Sequence, residues 1–190
     1  MRDRPRPLSA PDPQPSGHGP TTGLEVVLSN PRPGLRRWVF STLPLHMGRE
    51  IYTELHHDGS TVLAVNLSWK ALRADDMADP AASGILVDAD IVTASCRDAL
   101  ALAHELARHL GVDSSVNVTA TITTAEPTPL IPVITEYGSF RSIPDHARRL
   151  RRIQPVTTLI SPADKDDHLR ASAQETLTDL MHQFGITADL

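Results

Sequence analysis

Glu50-Ile-Tyr-Thr-Glu-Leu-His-His-Asp-Gly-Ser-Thr-Val-Leu-Ala-Val-Asn-Leu-Ser68 is a pair of β-rich runs joined through Asp58 and Gly59. An Asp-Gly pair supplies the positive φ that a tight hairpin turn requires. With side chains alternating along a strand, Ile51, Thr53 and Leu55 fall on one side of the first arm, and Tyr52, Glu54 and His56 on the other. On the second arm Val62, Ala64 and Asn66 alternate with Leu63, Val65 and Leu67, and the latter set is expected to face the core. The hairpin makes an antiparallel sheet the base of the fold.

The flanks extend that sheet. Residues 24–28, Leu-Glu-Val-Val-Leu, read as a strand, closed by the turn-forming Asn30-Pro31-Arg32-Pro33-Gly34. Residues 37–41 read as a second strand, and residues 71–84 as an acidic, small-residue loop. A helix is expected over 89–110, capped by Asp88 or Asp90 and ended by Gly111. Its apolar stripe is Val92, Cys96, Ala99, Leu100, Ala103, Leu106, Ala107 and Leu110. Residues 116–124 then alternate strictly between apolar and polar, the pattern of a half-buried strand. Residues 130–137 form another strand, in which Pro132 argues for an edge or a bulge. Residues 140–143 return, and 155–160 form a last strand. A second helix over 165–184 buries Leu169, Ala173, Leu177, Leu180, Met181 and Phe184 and stops at Gly185.

Two amphipathic helices and many strands predict an α+β fold, a largely antiparallel sheet with both helices on one face. The helices end alike, in Arg108-His-Leu-Gly-Val and His182-Gln-Phe-Gly-Ile. A weak internal duplication would produce that similarity, and so would the usual glycine stop after two unrelated helices. Residues 1–22 stand apart. Their prolines remove donors and fix φ, so a disordered tail or linker is expected, followed by one domain over 23–190.

Composition excludes several classes. Hydrophobic content of 40% with 22% charged residues suits a globular chain. With only 4% aromatic residues, the core must rest on Leu, Val, Ile and Ala. One cysteine, Cys96, permits no internal disulfide and no cysteine-based zinc site. No apolar run approaches the roughly 18–20 residues of a membrane span, and no apolar segment follows the N-terminal arginines as in a secretory signal. A cytoplasmic protein is the default expectation.

Several motifs nearly form a site. His104 and His109 sit five apart, about 140° around a helix, and cannot share a metal as the i, i+4 histidines of a zinc protease do. The glycines of residues 17–23 lack the Lys-Ser/Thr ending of a phosphate loop. His56 and His57 point to opposite faces, one exposed and one packed. Asp164, Asp166, Asp167 and His168 sit where a helix dipole favours negative charge. Trp38 and Trp69 each neighbour a basic residue, which suits core packing and also base stacking. The sequence assigns no catalytic residue, metal ligand or cofactor.

One cationic block remains. The chain carries a net charge of -5, yet Arg141, Arg148, Arg149, Arg151 and Arg152 crowd a short segment without a lysine. Guanidinium groups present planar forks of donors that suit phosphates and carboxylates. Were residues 145–152 helical, Arg148, Arg151 and Arg152 would share one face. The five arginines are therefore candidates for contacting nucleic acid or an acidic protein partner. The alternative is a phosphate clamp in a module that binds a phosphorylated small molecule such as a nucleotide. Solvated arginines paired with nearby carboxylates would need neither.

The run Tyr137-Gly-Ser-Phe-Arg-Ser-Ile-Pro-Asp-His-Ala-Arg-Arg-Leu-Arg-Arg-Ile-Gln-Pro-Val-Thr, the stretch Glu54-Leu-His-His-Asp-Gly-Ser-Thr-Val-Leu-Ala-Val and the ending His182-Gln-Phe-Gly-Ile resemble a known context. They resemble the C-terminal region of actinobacterial proteins that carry an N-terminal Schlafen/AlbA-type nucleic-acid or ATP-binding domain. The resemblance covers roughly residues 24–186, and the family-defining domain is not in this chain. It implies an accessory module working beside a nucleic-acid-handling partner, with no binding residue carried over. The sequence thus leads to a non-enzymatic accessory or interaction domain, contacting its partner through the arginine cluster.

Overall fold

The computed structural model describes residues 31–41, 51–67, 84–136 and 140–187. It shows an α+β fold with nine strands and two helices among those residues. In order they are β1 (Arg32–Gly34), β2 (Arg37–Ser41), β3 (Ile51–His56), β4 (Thr61–Val65), β5 (Ile85–Asp88), α1 (Ala89–His109), β6 (Val116–Ala120), β7 (Leu130–Glu136), β8 (Phe140–Ser142), β9 (Val156–Ile160) and α2 (Asp166–His182). The expected strand over 24–28, the phosphate-loop-like glycines, Trp69 and most of the acidic loop lie outside the described residues.

Strands β1 to β4 form an antiparallel meander in sequence order. Its centre is the expected hairpin, with Tyr52 opposite Ala64 and Glu54 opposite Val62, and with Gly59 at φ +90°. Burial alternates along β4: Val62 and Ala64 are exposed while Leu63 and Val65 turn inward. One wet face and one packed face is the usual economy of an antiparallel sheet. Residues 32–34, read as part of a turn, instead pair with β2, and the chain reverses at Leu35 and Arg36. Arg36 takes the positive φ of 59° that this tight reversal requires.

Elsewhere the pairing departs from chain order. β6 pairs antiparallel with β9, and β5 pairs parallel with β7, the one parallel contact among the described strands. β7 also pairs antiparallel with β8, which puts Pro132 in a middle strand. Its missing N–H is nevertheless harmless. The Leu130 amide points to the Leu150 side, where the two residues exchange bonds of 2.6 and 3.1 Å. The position of the Pro132 nitrogen faces the same way, into the gap between that bridge and β8, which begins pairing at Ile134. The strand is an edge locally, as proline demands.

Helix α1 starts where the sequence placed it. Asp88 Oδ1 accepts the Asp90 and Ile91 amides at 3.0 and 3.3 Å. Asp88→Ala should cost about 1 kcal/mol, and up to about 2, read as a lower midpoint in a denaturant melt followed by helical circular dichroism. An unchanged midpoint would mean that the cap contributes nothing here. α2 has Lys165 at its cap position without a side-chain cap bond, and carries Asp166 and Asp167 in its first turn. Both helices are followed by a glycine with positive φ, Gly111 at 65° and Gly185 at 77°. That stop chemistry accounts for the similar endings. The halves pair differently, a sequential meander in the first and a β6–β9 pair enclosing β7 and β8 in the second.

The core lies between the helices and the strands they cover. One cluster joins Val87, Val92, Cys96, Leu130, Ile153, Leu177, Met181 and Phe184. A second joins Leu100 and Ala103 of α1 to Ile160 of β9 and Ala173 of α2. Most of the predicted stripes are buried, but Leu110 is 38% exposed, because α1 ends before it and Gly111 turns the chain away. No helix among the described residues is long and apolar enough to cross a membrane.

Candidate functional site

The arginine segment is not helical. Residues 143–155 make a turn, closed by the Ala147 amide bonding Pro144 O at 2.9 Å, and then run without helix to β9. The shared helical face considered for Arg148, Arg151 and Arg152 therefore does not form. Pro144 and the pull of three apolar anchors explain why. Ile153 is buried in the core, and Ala147 and Leu150 pack against it. Anchors spaced three residues apart could suit a helix, but backbone partners on either side hold this segment open.

Those partners pin the segment at three points. The Arg148 amide donates to Phe184 O at 2.7 Å, just beyond α2. Leu150 exchanges its two bonds with Leu130 at the start of β7. Gln154 and Gln183 close the third point: the Gln154 amide bonds Gln183 Oε1 at 2.8 Å, and Gln183 Nε2 bonds Gln154 O at 3.0 Å.

Arg148, Arg149, Arg151 and Arg152 are all exposed on this backbone. Among the described residues none of the four makes an ion pair, so pairing with local carboxylates does not account for them. Arg141 stands apart in β8, opposite Thr135. From Arg148 to Arg152 the chain covers at most about 13 Å at a strand's rise. Along that length of axis one DNA strand presents about four phosphates.

A second constellation lies on the outer face of the meander. Glu54 is 8% exposed although its face is wet, because three side chains close over it. Tyr52 Oη donates to Glu54 Oε1 at 2.5 Å, His56 Nε2 lies 2.7 Å from Oε2, and Arg37 Nη1 lies 3.1 Å from Oε1. The Tyr52 bond, helped by His56 and the Arg37 charge, holds the Glu54 carboxyl below its usual range, against the opposing effect of burial. The same bond pushes the Tyr52 hydroxyl up. Strand alternation placed Tyr52, Glu54 and His56 together; Arg37 joins them through the β2–β3 register, opposite His56. His56 is half-buried and His57 exposed, in line with the expected split.

Three buried polar atoms lack a hydrogen-bond partner: Thr53 Oγ1, Asp98 Oδ2 and His104 Nε2. Burial raises the Asp98 carboxyl to about 7, with Arg97 pulling the other way. The sequence held a signal for Asp98 that the stripe overlooked. Ile91, seven residues earlier, and Leu102, four later, share its side of α1. His104 is buried and His109 exposed, consistent with histidines on different sides of the helix. Burial pushes the Cys96 thiol up to about 12, which makes it a core side chain rather than a nucleophile. No group of three or more potential metal ligands occurs among the described residues.

Two cavities flank α1, and neither has an arginine among its described lining residues. No family model, curated protein or solved structure matches the chain.

Proposed function

We propose that this chain is a non-enzymatic interaction module that holds nucleic-acid phosphates on Arg148, Arg149, Arg151 and Arg152. One observation carries the reading: four exposed guanidinium groups without carboxylate partners stand on a pinned backbone in a chain of net charge -5. An acidic protein surface, uniformly repelled by phosphates, has little reason to keep such a cluster unneutralised unless an anion completes it. Pinning also lowers the ordering cost of binding, since the backbone carrying the forks is already fixed. Phosphate contacts position a protein without reading sequence, so broad rather than base-specific binding is the expectation. The resemblance to regions accompanying nucleic-acid-handling domains agrees with this role. A phosphate clamp for a small molecule has less support, because the cavities have no cationic side chain in their described walls.

The test is fluorescence anisotropy with a short labelled duplex and a short single strand at low salt. Replacing the four together (Arg148→Gln, Arg149→Gln, Arg151→Gln, Arg152→Gln) should weaken binding at least about tenfold, with the melting temperature held. Unaltered affinity in the variant, or no binding by the parent at low salt, would overturn the proposal.

A further inference from the structure

The edges of β4 and β6 face one another across α1. Among the described residues β4 pairs only with β3, and β6 only with β9. The second edge of each strand borders the two cavities, of about 320 and 750 Å³. Residues 59–63 and 116–119 line the smaller one with Ala99, Ala103 and Ala107 of α1. Residues 62–67 and 118–125 line the larger one with Val92, Cys96 and Leu100. Both strands therefore run the same way along the helix, and the cavities form one slot between them.

The slot has two properties of a strand acceptor. The His56 amide bonds Ser60 O at 2.9 Å, which fixes the alternation of the hairpin. Val62 and Ala64 then bond to β3, and Thr61, Leu63 and Val65 turn their N–H and C=O groups to the slot. An edge of that kind is a template for another strand. The walls are also free of charge: no described lining residue of either cavity is Asp, Glu, Lys, Arg or His. In a chain with 22% charged residues, that selects an uncharged occupant. An acyl chain would suit the apolar floor but leave the edge donors and acceptors unmet. A polypeptide strand satisfies both.

We infer that the slot between β4 and β6 receives an extended, uncharged strand from a partner polypeptide, which would join the meander to the β6–β9 pair as one sheet over α1. The Ala99 methyl on the floor leaves room for it, and the threonines of residues 119–124 provide polar edges to its flanks.

The experiment is amide hydrogen exchange and two-dimensional NMR on the full chain. The probe is a blocked heptapeptide of alternating threonine and valine. In the free protein the Thr61, Leu63 and Val65 amides should exchange far faster than those of Val62 and Ala64. On adding peptide they should shift and slow at least about tenfold. Two variants separate docking from folding. Ala99→Trp fills the floor, and Thr61→Pro removes one edge donor at a position proline tolerates. Each should weaken peptide binding at least about tenfold, and the proline variant keeps the floor intact if the tryptophan variant fails to fold. Edge amides already protected without peptide would mean that the chain fills its own slot, and would overturn the inference. So would millimolar peptide that moves no β4 or β6 amide, or binding untouched by Thr61→Pro.

Discussion

Asp98→Asn should remove a loss of stability that the parent suffers as pH rises from about 4 to about 7. The carboxyl is 4% exposed on α1, its Oδ2 has no hydrogen-bond partner, and burial raises it from 3.8 to about 7. The folded protein therefore binds this proton more tightly than the unfolded chain. Stability that rests on a raised carboxyl is complete below the unfolded value. It declines as pH climbs towards the folded one, then levels off. Asparagine has the shape of the protonated acid and never ionises. Parent and variant should melt alike near pH 4, and the variant should be the more stable at pH 8, by on the order of 2–4 kcal/mol. Thermal melts across that range would show it. Parallel profiles would mean that Asp98 is hydrated when charged. Glu54 cannot mimic the effect, because a lowered carboxyl loses its contribution as pH falls, at the acid end of the scale.

Phe184→Ala should be the most damaging core truncation and should reach the arginine segment. Phe184 is wholly buried just after α2, and its carbonyl accepts the Arg148 amide. Emptying such a site costs about 3–5 kcal/mol, which lowers the melting temperature of a domain this size by roughly 6–20 °C. The cavity lies beneath one of the three points that hold the segment open. The Arg148 amide should accordingly exchange faster by more than the global destabilisation explains. A melt within a degree of the parent would contradict the packing; exchange at Arg148 that follows only the global change would contradict the coupling.

The parts of the fold legible in the sequence are those decided by neighbours. Asp58 and Gly59 set the hairpin, Asp88 the start of α1, and Gly111 and Gly185 the helix ends, since each acts within a turn of itself. Period-2 alternation found β6 and β9, but it carries no information on partners. Their pairing with each other, and the parallel match of β5 to β7, depend on how α1 and α2 pack. Pro132 illustrates the difference: its chemistry calls for an edge, and the edge exists only as a local gap in an otherwise central strand. For the arginine segment, residue type identified the candidates, but the open backbone came from distant partners at Leu130, Phe184 and Gln183. Asp98 went unnoticed because a charged residue on a helix is normally assigned to solvent, and only the flanking Ile91 and Leu102 mark its side as buried.

The most direct test of the central claim is the salt dependence of duplex binding. Each phosphate neutralised contributes about -0.9 to the slope of log affinity against log salt. Four working guanidinium groups predict a slope of roughly -3 to -4, a loss of about a hundredfold between about 50 and 200 mM salt, and a nearly flat line once all four are glutamine. A slope shared by parent and variant would contradict the account, because the phosphates would then be held somewhere other than residues 148–152.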